Sequence, residues 1–388
     1  MPLLFAAPCG KGRILYSAIQ LGALLVEIES VCNYLFGNGQ PEMTLLEKIW
    51  PAPCEIEAGN VFDAPREVRF EGAFEPAWAA DFAAVTGIGA GDGYPIRFIA
   101  DDAAGADAYA LVLTPESCVI SGGEAGRFYA LQTLLQIAAF GRSSWQAMQI
   151  TDRPAVAKRC FVADMGRSVW TLPMLKNLVR ILARLKMNQL HLHLYDDELC
   201  GIRFADHAFG SDNPYALTVP ELAELVEFAA PYHVEIVPEL EAWAHVGALV
   251  WHRPDLRGGD GVYNGSSFLF CPATFALMRD LVGQIADIMP DGSTIHFGLD
   301  EANWFVTPDM GAEFTPTEMV RRYYEMLQTL GRERGKHFTM RLWADHAGRP
   351  LPPEIADKVV IEPWNYWQSQ CEKSARDVGR YSAGVTPW

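Results

Sequence analysis

The sequence predicts an α/β protein, in which a small α+β domain precedes a TIM-type β/α barrel that lacks its last one or two β/α units. Three observations lead to this prediction. After Pro154, six short apolar runs alternate with amphipathic helical segments, which is typical of parallel β/α architecture. Several of these runs end in acidic or aromatic residues, as barrel strands do where they build a site. Before Ile150, β-rich runs precede a single helix instead.

Length, charge and cysteine content limit the functional classes. The chain has 388 residues and a net charge of −17. The length allows two domains, and the negative charge argues against nucleic acid or a membrane surface as partner. Eight cysteines without a C-x-x-C pair indicate reduced thiols and a cytoplasmic location. No segment is long and apolar enough to span a membrane, and the apolar stretch near the N-terminus is not a convincing signal peptide.

We expect three regions along the chain. Residues 1–44 form an N-terminal extension of unclear structure. Residues 45–150 form the small α+β domain, and Ile150–Pro154 is a linker. Residues 155–388 form the barrel. The predicted strands of the small domain are Glu67–Phe70, Tyr94–Ile99, Tyr109–Leu113 and Ser117–Ser121, and its helix is Gly126–Phe140.

The barrel elements follow in order. Its predicted strands are Phe161–Asp164, Gln189–Leu194, Val234–Leu240, Thr294–Leu299, Phe338–Trp343 and Val359–Trp364. The predicted helices cover Leu172–Leu185, a segment that begins at Thr218, Phe275–Met289 and a segment that begins at Thr315. Thr218 and Thr315 each precede a Glu by three residues, a pattern typical of helix N-caps. Nucleotide-binding glycine motifs are absent from the sequence, so a nucleotide cofactor is not indicated.

The fourth barrel strand ends in two adjacent acids, Asp300 and Glu301. A buried carboxylate costs several kcal/mol unless it is paired or protonated, so packing alone does not explain the pair. Two acids at the carboxyl end of a strand suit acid/base chemistry. Two solvated acids at an ordinary strand end would give the same pattern.

Other strand ends carry further candidates. Arg159 precedes the first strand, where it either flanks the strand or binds the vicinal hydroxyls of a sugar. His191 and His193 alternate on the second strand, so they either pack and hydrogen-bond inside the barrel or belong to a metal-hydrolase pattern. Only His245 supplies a further candidate ligand for a metal, which favours the packing interpretation. His245 follows the third strand as either a structural residue or a partner of the acids.

Trp343 and Trp364 end two successive strands. A tryptophan is usually a core residue, but one above a barrel and near acids also suits the apolar face of a pyranose and an acetamide methyl group.

Several ordered motifs together resemble glycoside hydrolase family 20, the β-N-acetylhexosaminidases. The motifs are Arg159…Asp164…Arg167, His191-Leu-His-Leu-Tyr-Asp-Asp197, Pro238-Glu239…His245 and His296-Phe-Gly-Leu-Asp-Glu301. The resemblance runs from about residue 50 onward and includes the family's small non-catalytic domain.

The resemblance implies an exo-acting, retaining β-N-acetylhexosaminidase in which the substrate's own 2-acetamido oxygen attacks the anomeric carbon. Asp300 would orient the acetamide, and Glu301 would protonate the leaving oxygen and then activate water. The implied substrate-binding residues are Arg159, Asp197, His245, Trp343 and Trp364. No metal or other cofactor is implied. The partner would be a glycan or small molecule with a terminal N-acetyl-hexosamine, and the chain could form a homo-oligomer.

Three departures from the family pattern matter. Trp243-Ala-His245 stands where members of the family typically have Pro-Gly-His after the third strand. Leu299 stands where the family usually has a second glycine before the acid pair. Six strands are clear and Tyr381–Trp388 could begin a seventh, so we expect a truncated chain, a barrel completed by a second chain, or a rebuilt domain. The alternative functions are a degenerate sugar-binding relative without catalysis and a metal-dependent hydrolase built on His191 and His193.

Overall fold

A computed structural model describes residues 49–101, 103, 105–261, 265–343 and 351–362 of the chain. The chain divides into two compact units. The first contains residues up to Phe161 together with Arg180–Asn188 and Pro231–His233. The second contains Val162–Val179, Gln189–Ala230 and the residues from Val234 onward. Because the first unit includes two short segments from later in the chain, the predicted boundary at residues 150–155 stays a prediction.

A seven-stranded mixed sheet forms the centre of the first unit, with strand order β1-β7-β5-β6-β4-β2-β3. The strands are β1 (Glu55–Asp63), β2 (Glu67–Gly72), β3 (Gly89–Ala90), β4 (Tyr94–Ala100), β5 (Tyr109–Leu113), β6 (Cys118–Gly122) and β7 (Ser144–Asp152). The four predicted strands lie in this sheet as β2, β4, β5 and β6, while β1, β3 and β7 are additional. Since β7 continues to Asp152, the predicted linker is partly strand, and this part of the prediction is wrong.

Two helices, α1 (Pro76–Thr86) and α2 (Glu124–Phe140), complete the first unit. Helix α2 is buried from Gly126 to Ala138, so it is a core helix rather than a surface helix. In α1, the indole N–H of Trp78 donates to the carbonyl oxygen of Pro231 at 2.6 Å. The ring of His233 lies 5.8 Å from the Trp78 ring. The segment Pro231–His233 is therefore part of the core of this unit.

A six-stranded parallel sheet follows, with strand order β18-β17-β15-β12-β9-β8. Its strands are β8 (Cys160–Asp164), β9 (Gln189–His193), β12 (Glu235–Glu239), β15 (Thr294–His296), β17 (Thr339–Trp343) and β18 (Val359–Glu362). Each matches a predicted barrel strand to within a few residues. The neighbouring pairs β9–β12, β12–β15, β15–β17 and β17–β18 all run parallel, so the carboxyl ends of these strands lie at one edge of the sheet.

Amphipathic helices connect these strands: α3 (Leu172–Arg184), α4 (Val219–Ala229), α6 (Pro272–Ile288) and α7 (Pro316–Arg334). In α3 the side chains of Leu175, Leu178 and Leu182 are buried, and each contributes about 1.5–3 kcal/mol by leaving water. Thr218 forms the predicted capping box with Glu221 at the start of α4. Thr315 accepts the N–H of Glu318 at the start of α7, which confirms the second predicted N-cap.

Short elements lie in the loops that follow the parallel strands. They are β10 (Ile202–Arg203), β11 (Leu217–Thr218), the helical turn α5 (Gly247–Val250), β13 (Arg257–Asp260), β14 (Ser266–Phe270) and β16 (Phe305–Val306). Strands β13, β14 and β16 form a separate three-stranded sheet. None of these short elements was predicted from the sequence.

The prediction that β15 extends to Leu299 is wrong. The strand ends at His296, and the backbone then turns into the left-handed region, with φ of 63° at Gly298 and 76° at Leu299. The predicted strand beginning at Tyr381, the end of the barrel and the extension at residues 1–44 lie outside the described residues.

None of the helices among the described residues has the length and apolarity to cross a membrane. The five cysteines within the described residues, Cys54, Cys118, Cys160, Cys200 and Cys271, are free thiols.

Candidate active site

The acid pair lies in a tight turn after β15 rather than on a strand. Gly298, Leu299 and Glu301 all have positive φ, with 45° at Glu301. The Gly298 N–H donates to Nδ1 of His296 at 2.9 Å, which ties the turn back to the end of the strand. The side chains of Asp300 and Glu301 are 17% and 21% exposed. Both acids are thus half-buried but open to a small molecule.

His245 lies beside both acids. Its Nε2 is 3.3 Å from Oε2 of Glu301 and 3.8 Å from Oδ2 of Asp300. Its Nδ1 lies 3.2 Å from Oδ1 of Asp196 and 3.5 Å from Oδ2 of Asp197. Burial lowers the pKa of His245, but the hydrogen bonds to these two aspartates and the charge of Asp300 raise it to about 11. The ring is therefore an imidazolium at neutral pH, with an N–H on each side.

Asp197 holds two loops together. Its Oδ1 accepts the backbone N–H of Gly247 at 3.0 Å and of Ser266 at 2.8 Å. The same carboxylate faces His245 through Oδ2. Asp197 thus fixes the loop after β12, which carries His245, against the start of β14.

Arg167, just after β8, contributes a cation to the same edge of the sheet. Its guanidinium lies 2.5 Å from Oδ2 of Asp196 and donates to Oδ2 of Asp164 at 3.1 Å. The side chain is still 41% exposed, so part of the guanidinium faces outward. Burial raises the pKa of Asp196, but hydrogen bonds to His193 and His245 lower it below its usual value, so Asp196 is charged. Arg167 belongs to the first of the ordered motifs but was not among the predicted site residues.

The structure does not support the predicted role of Arg159. Arg159 precedes β8, at the amino end of the strand, whereas the acids follow the carboxyl ends of the parallel strands. Its guanidinium pairs with Asp107 at 3.0 Å and also donates to the carbonyl oxygens of Val156 and Lys186. These contacts all lie within the first compact unit. Arg159 is therefore a structural residue, and its assignment to the site is corrected.

A layer of buried charge lies below the acids. Oε2 of Glu239 is 3.0 Å from Nε2 of His191 and 2.6 Å from Nδ1 of His193. Its Oε1 is 3.0 Å from Nδ1 of His296. Burial raises the pKa of Glu239, but the charges of the three imidazoles hold it well below its usual value. The carboxylate of Glu239, on β12, thus hydrogen-bonds to both imidazoles of β9 and lies against the His296 ring of β15.

His193 connects this layer to the upper network. Its Nε2 lies 2.7 Å from Oδ2 of Asp196, so the ring bridges Asp196 and Glu239. Burial lowers the pKa of His193, but the two carboxylates raise it to about 10. His191 and His193 therefore pack and hydrogen-bond inside the sheet, as the favoured interpretation predicted. A metal at these residues would have to replace the hydrogen bonds to Glu239.

Trp343 covers the imidazoles. Its ring stacks on His191 at a centroid distance of 5.5 Å and an angle of 16°, and lies 4.5 Å from the His296 ring. One face of the Trp343 ring, at the carboxyl end of β17, is thus packed against the imidazoles. Trp364, the other tryptophan predicted for the site, lies outside the described residues.

Glu241 is a further buried acid beside the turn. It is 1% exposed, and its Oε2 accepts the Leu299 N–H at 3.3 Å. The cationic ring of His193 lies farther away, with its Nδ1 3.9 Å from Oε1 of Glu241. Burial and the charges of Asp300 and Glu239 raise the pKa of Glu241 well above its usual value. Glu241 thus keeps its proton to a higher pH than an ordinary glutamic acid does, and no local sequence pattern indicates a role for it.

Comparison with known proteins agrees with this arrangement. The model of glycosyl hydrolase family 20, catalytic domain, matches residues 157–381, and the model of domain 2 of the same family matches residues 48–153. A β-hexosaminidase from Akkermansia muciniphila is 30% identical over 227 residues, which are 50% of this chain and 45% of the relative. The chain spans about half the length of the curated relatives it matches.

Solved structures give the same fold. The family 20 β-N-acetylhexosaminidase from Streptomyces coelicolor has a TM-score of 0.69 at 21% identity, covering 90% of this chain and 76% of that one. An exo β-N-acetylglucosaminidase from Vibrio harveyi, in complex with N-acetylglucosamine, has a TM-score of 0.65 at 20% identity, covering 87% and 60%. The fold is thus a TIM-barrel domain preceded by a small domain. Because the family models match most of its length, the chain belongs to glycosyl hydrolase family 20.

Proposed function

We propose that this chain is an exo-acting, retaining β-N-acetylhexosaminidase that hydrolyses terminal N-acetyl-hexosamine from glycans or smaller glycosides. One observation carries the proposal most directly. A single imidazolium, His245, lies within 3.8 Å of both acids of the turn and is itself held by two aspartates. This arrangement fixes two adjacent carboxyl groups beside one cation, at an edge of the sheet where acid/base chemistry can act on a small molecule.

Family 20 is an exception among retaining glycosidases, because the substrate supplies the nucleophile. The acetamide oxygen attacks the anomeric carbon while the bond to the leaving oxygen breaks, and Glu301 gives its proton to that oxygen. An oxazolinium ion results. Glu301 then takes a proton from water, the water oxygen bonds to the anomeric carbon, and the acetamide is restored. Asp300 accepts the acetamide N–H and stabilises the positive charge that develops on the ring.

The remaining residues bind and orient the sugar. We assign to Arg167 the hydroxyl-binding role first given to Arg159, because its partly exposed planar guanidinium lies at the edge of the sheet that carries the acids. Trp343 offers an apolar wall for the acetamide methyl group, and Trp364 keeps this role as a prediction. His245 and Asp197 act through the acids: the cationic ring of His245 lies 3.3 Å from the carboxyl group of Glu301, and Asp197 holds the loop of His245.

The test compares Glu301→Gln with the wild-type chain on a 4-nitrophenyl N-acetyl-β-glucosaminide. We expect kcat to fall by about 10²- to 10⁴-fold, because general acid/base catalysis contributes about that much. Glu325→Gln, an exposed glutamate on α7, is the matched control and should retain wild-type kcat.

Two results would overturn the proposal. One is a Glu301→Gln variant that keeps the wild-type kcat. The other is a wild-type chain that binds N-acetylglucosamine without releasing nitrophenol, since that result would identify a sugar-binding relative without catalysis.

Two further assignments belong to this proposal. A net charge of −17 fits a neutral glycan better than nucleic acid or an anionic membrane. A cytoplasmic location is proposed from the cysteine pattern, and the five free thiols among the described residues are compatible with it.

A further inference from the structure

The turn that carries the acids adopts a backbone conformation that Leu299 disfavours. A left-handed conformation costs a residue with a side chain about 1–2 kcal/mol relative to the right-handed one. Leu299 has φ of 76° and its side chain is 1% exposed. A strained residue of this kind persists only where its surroundings hold it in place.

Glu241 provides such a contact. Its Oε2 accepts the Leu299 N–H at 3.3 Å, and this bond joins positions 58 residues apart. A Cβ built at Gly298 would overlap both carboxyl oxygens of Glu241, so the carboxyl group fills the space beside that glycine. The carboxyl thus touches the two residues of the turn that come immediately before Asp300.

Glu241 itself is held in place from the other side. It lies two residues beyond the end of β12, and the hydroxyl of Tyr195 donates to its backbone carbonyl oxygen at 2.9 Å. Tyr195 and Glu241 are both buried. The acid therefore projects from a fixed backbone rather than from a mobile loop.

We propose that Glu241 is a positioning residue: by accepting the Leu299 N–H and filling the space beside Gly298, its carboxyl group holds the left-handed turn that presents Asp300 and Glu301. The expected effect of Glu241 on kcat rests on the proposed function. The carboxyl group of Glu241 acts on the turn and not on the substrate directly.

The raised pKa of Glu241 agrees with this role. The groups that face it are His193, Asp300, Glu239 and Asp196, so most of its charged neighbours are negative. A neutral acid accepts the Leu299 N–H without adding a further negative charge next to Asp300. Gln has nearly the same shape, is also neutral and can accept the same N–H, so it is the conservative replacement.

The test is a double-mutant cycle between Glu241 and Leu299. In Glu241→Ala we expect kcat to fall about 100-fold, since a displacement of about 1 Å can cost that much. Glu241→Gln should stay within about threefold of the wild type, because it keeps the acceptor. Glycine adopts positive φ without strain, so in Leu299→Gly the further change Glu241→Ala should cost only about tenfold.

Hydrogen exchange at the Leu299 amide gives a second readout that does not depend on turnover. Exchange should be faster in Glu241→Ala than in the wild type and unchanged in Glu241→Gln. Leu281→Ala, a cavity in helix α6, is the matched control: it lowers stability but should leave exchange at Leu299 and kcat unaltered.

The outcomes separate the two proposals. Unchanged Leu299 exchange in folded Glu241→Ala would overturn the positioning role, whatever the kinetics. Faster exchange with a smaller kinetic cost in the Leu299→Gly background supports it. If the wild type shows no turnover, the proposed function has failed while the exchange measurement still decides the role of Glu241. If Glu241→Ala does not fold, Glu241→Asp replaces it, because its carboxyl is withdrawn by about 1.5 Å.

Discussion

Glu239 and Glu241 lie two residues apart at the end of one strand and are equally buried at 1% exposure, yet their pKa values shift in opposite directions. Burial favours the neutral form of both. The pKa of Glu239 is nevertheless lowered, because three imidazoles lie around its carboxylate. The pKa of Glu241 is raised, because this acid has only one backbone N–H and mainly negative neighbours. The partners of a buried acid, rather than its depth, decide its charge.

This difference separates two tasks that both lie next to the site. The charged Glu239 joins three parallel strands and supports the imidazoles on which Trp343 packs. The neutral Glu241 lies beside the turn that carries the acids. The first interaction concerns the stability of the sheet, and the second concerns the shape of the turn.

The largest loss in the free energy of unfolding should come from Glu239→Gln. The substitution leaves the imidazolium of His193 buried with Asp196 as its remaining close carboxylate, and breaking a buried ion pair costs about 3–5 kcal/mol. We expect a loss of that size in the free energy of unfolding, measured with urea at pH 7. Glu241→Gln in the same experiment should change it by about 1 kcal/mol or less. Equal losses in the two variants would contradict the comparison.

The pH dependence of stability should distinguish the two acids. The folded-state pKa of Glu241 is raised above 4.5, so its contribution to stability is present below pH 4.5 and is lost as pH rises toward the folded-state pKa. Gln does not titrate. Relative to the wild type, Glu241→Gln should therefore gain up to about 1.4 kcal/mol per pH unit above pH 4.5.

The contribution of Glu239 to stability should depend on pH with the opposite sign. Its folded-state pKa is lowered, so its contribution is present above pH 4.5 and is lost as pH falls through the folded-state pKa. The deficit of Glu239→Gln should shrink below pH 4.5. Urea midpoints of the three proteins between pH 2.5 and 7 measure both trends, and parallel curves for wild type and Glu241→Gln would refute the raised pKa of Glu241.

The smallest effect should come from Glu198→Gln. Glu198 lies 3.7 Å from Nε of Arg167, but its side chain is 61% exposed and the interaction is screened by water. We expect a change of less than about 1 kcal/mol in unfolding free energy and less than twofold in kcat/KM. A larger loss would mean that exposed charge matters as much here as buried charge.

Local signals explain which elements the sequence predicts correctly. The six parallel strands and both threonine caps depend on short patterns of apolar and capping residues. Strand β1 was not predicted, because most of its residues are exposed and its partner β7 lies about 90 residues later. The strand end at His296 was also missed, since nothing in a leucine indicates a left-handed backbone at position 299.

The positions of Arg159 and Arg167 relative to the first barrel strand could have identified the arginine of the site. Arg159 precedes the strand and Arg167 follows it, and barrel sites form at carboxyl ends, so the sequence already favoured Arg167. Glu241 was different. Its contact with Leu299 depends on a turn 58 residues away, which no local pattern specifies.

The first compact unit contains segments that are far apart in the sequence, and this affects when it can fold during synthesis of the chain. This unit includes Arg180–Asn188 and Pro231–His233, and the indole of Trp78 binds the carbonyl oxygen of Pro231. Domains generally fold from the amino terminus as the ribosome extends them. Here the amino-terminal unit cannot complete its core until residue 233 has left the ribosome. All of α4 and the first two strands of the parallel sheet emerge before that point, so part of the second unit is already outside the ribosome when the first unit can complete its core.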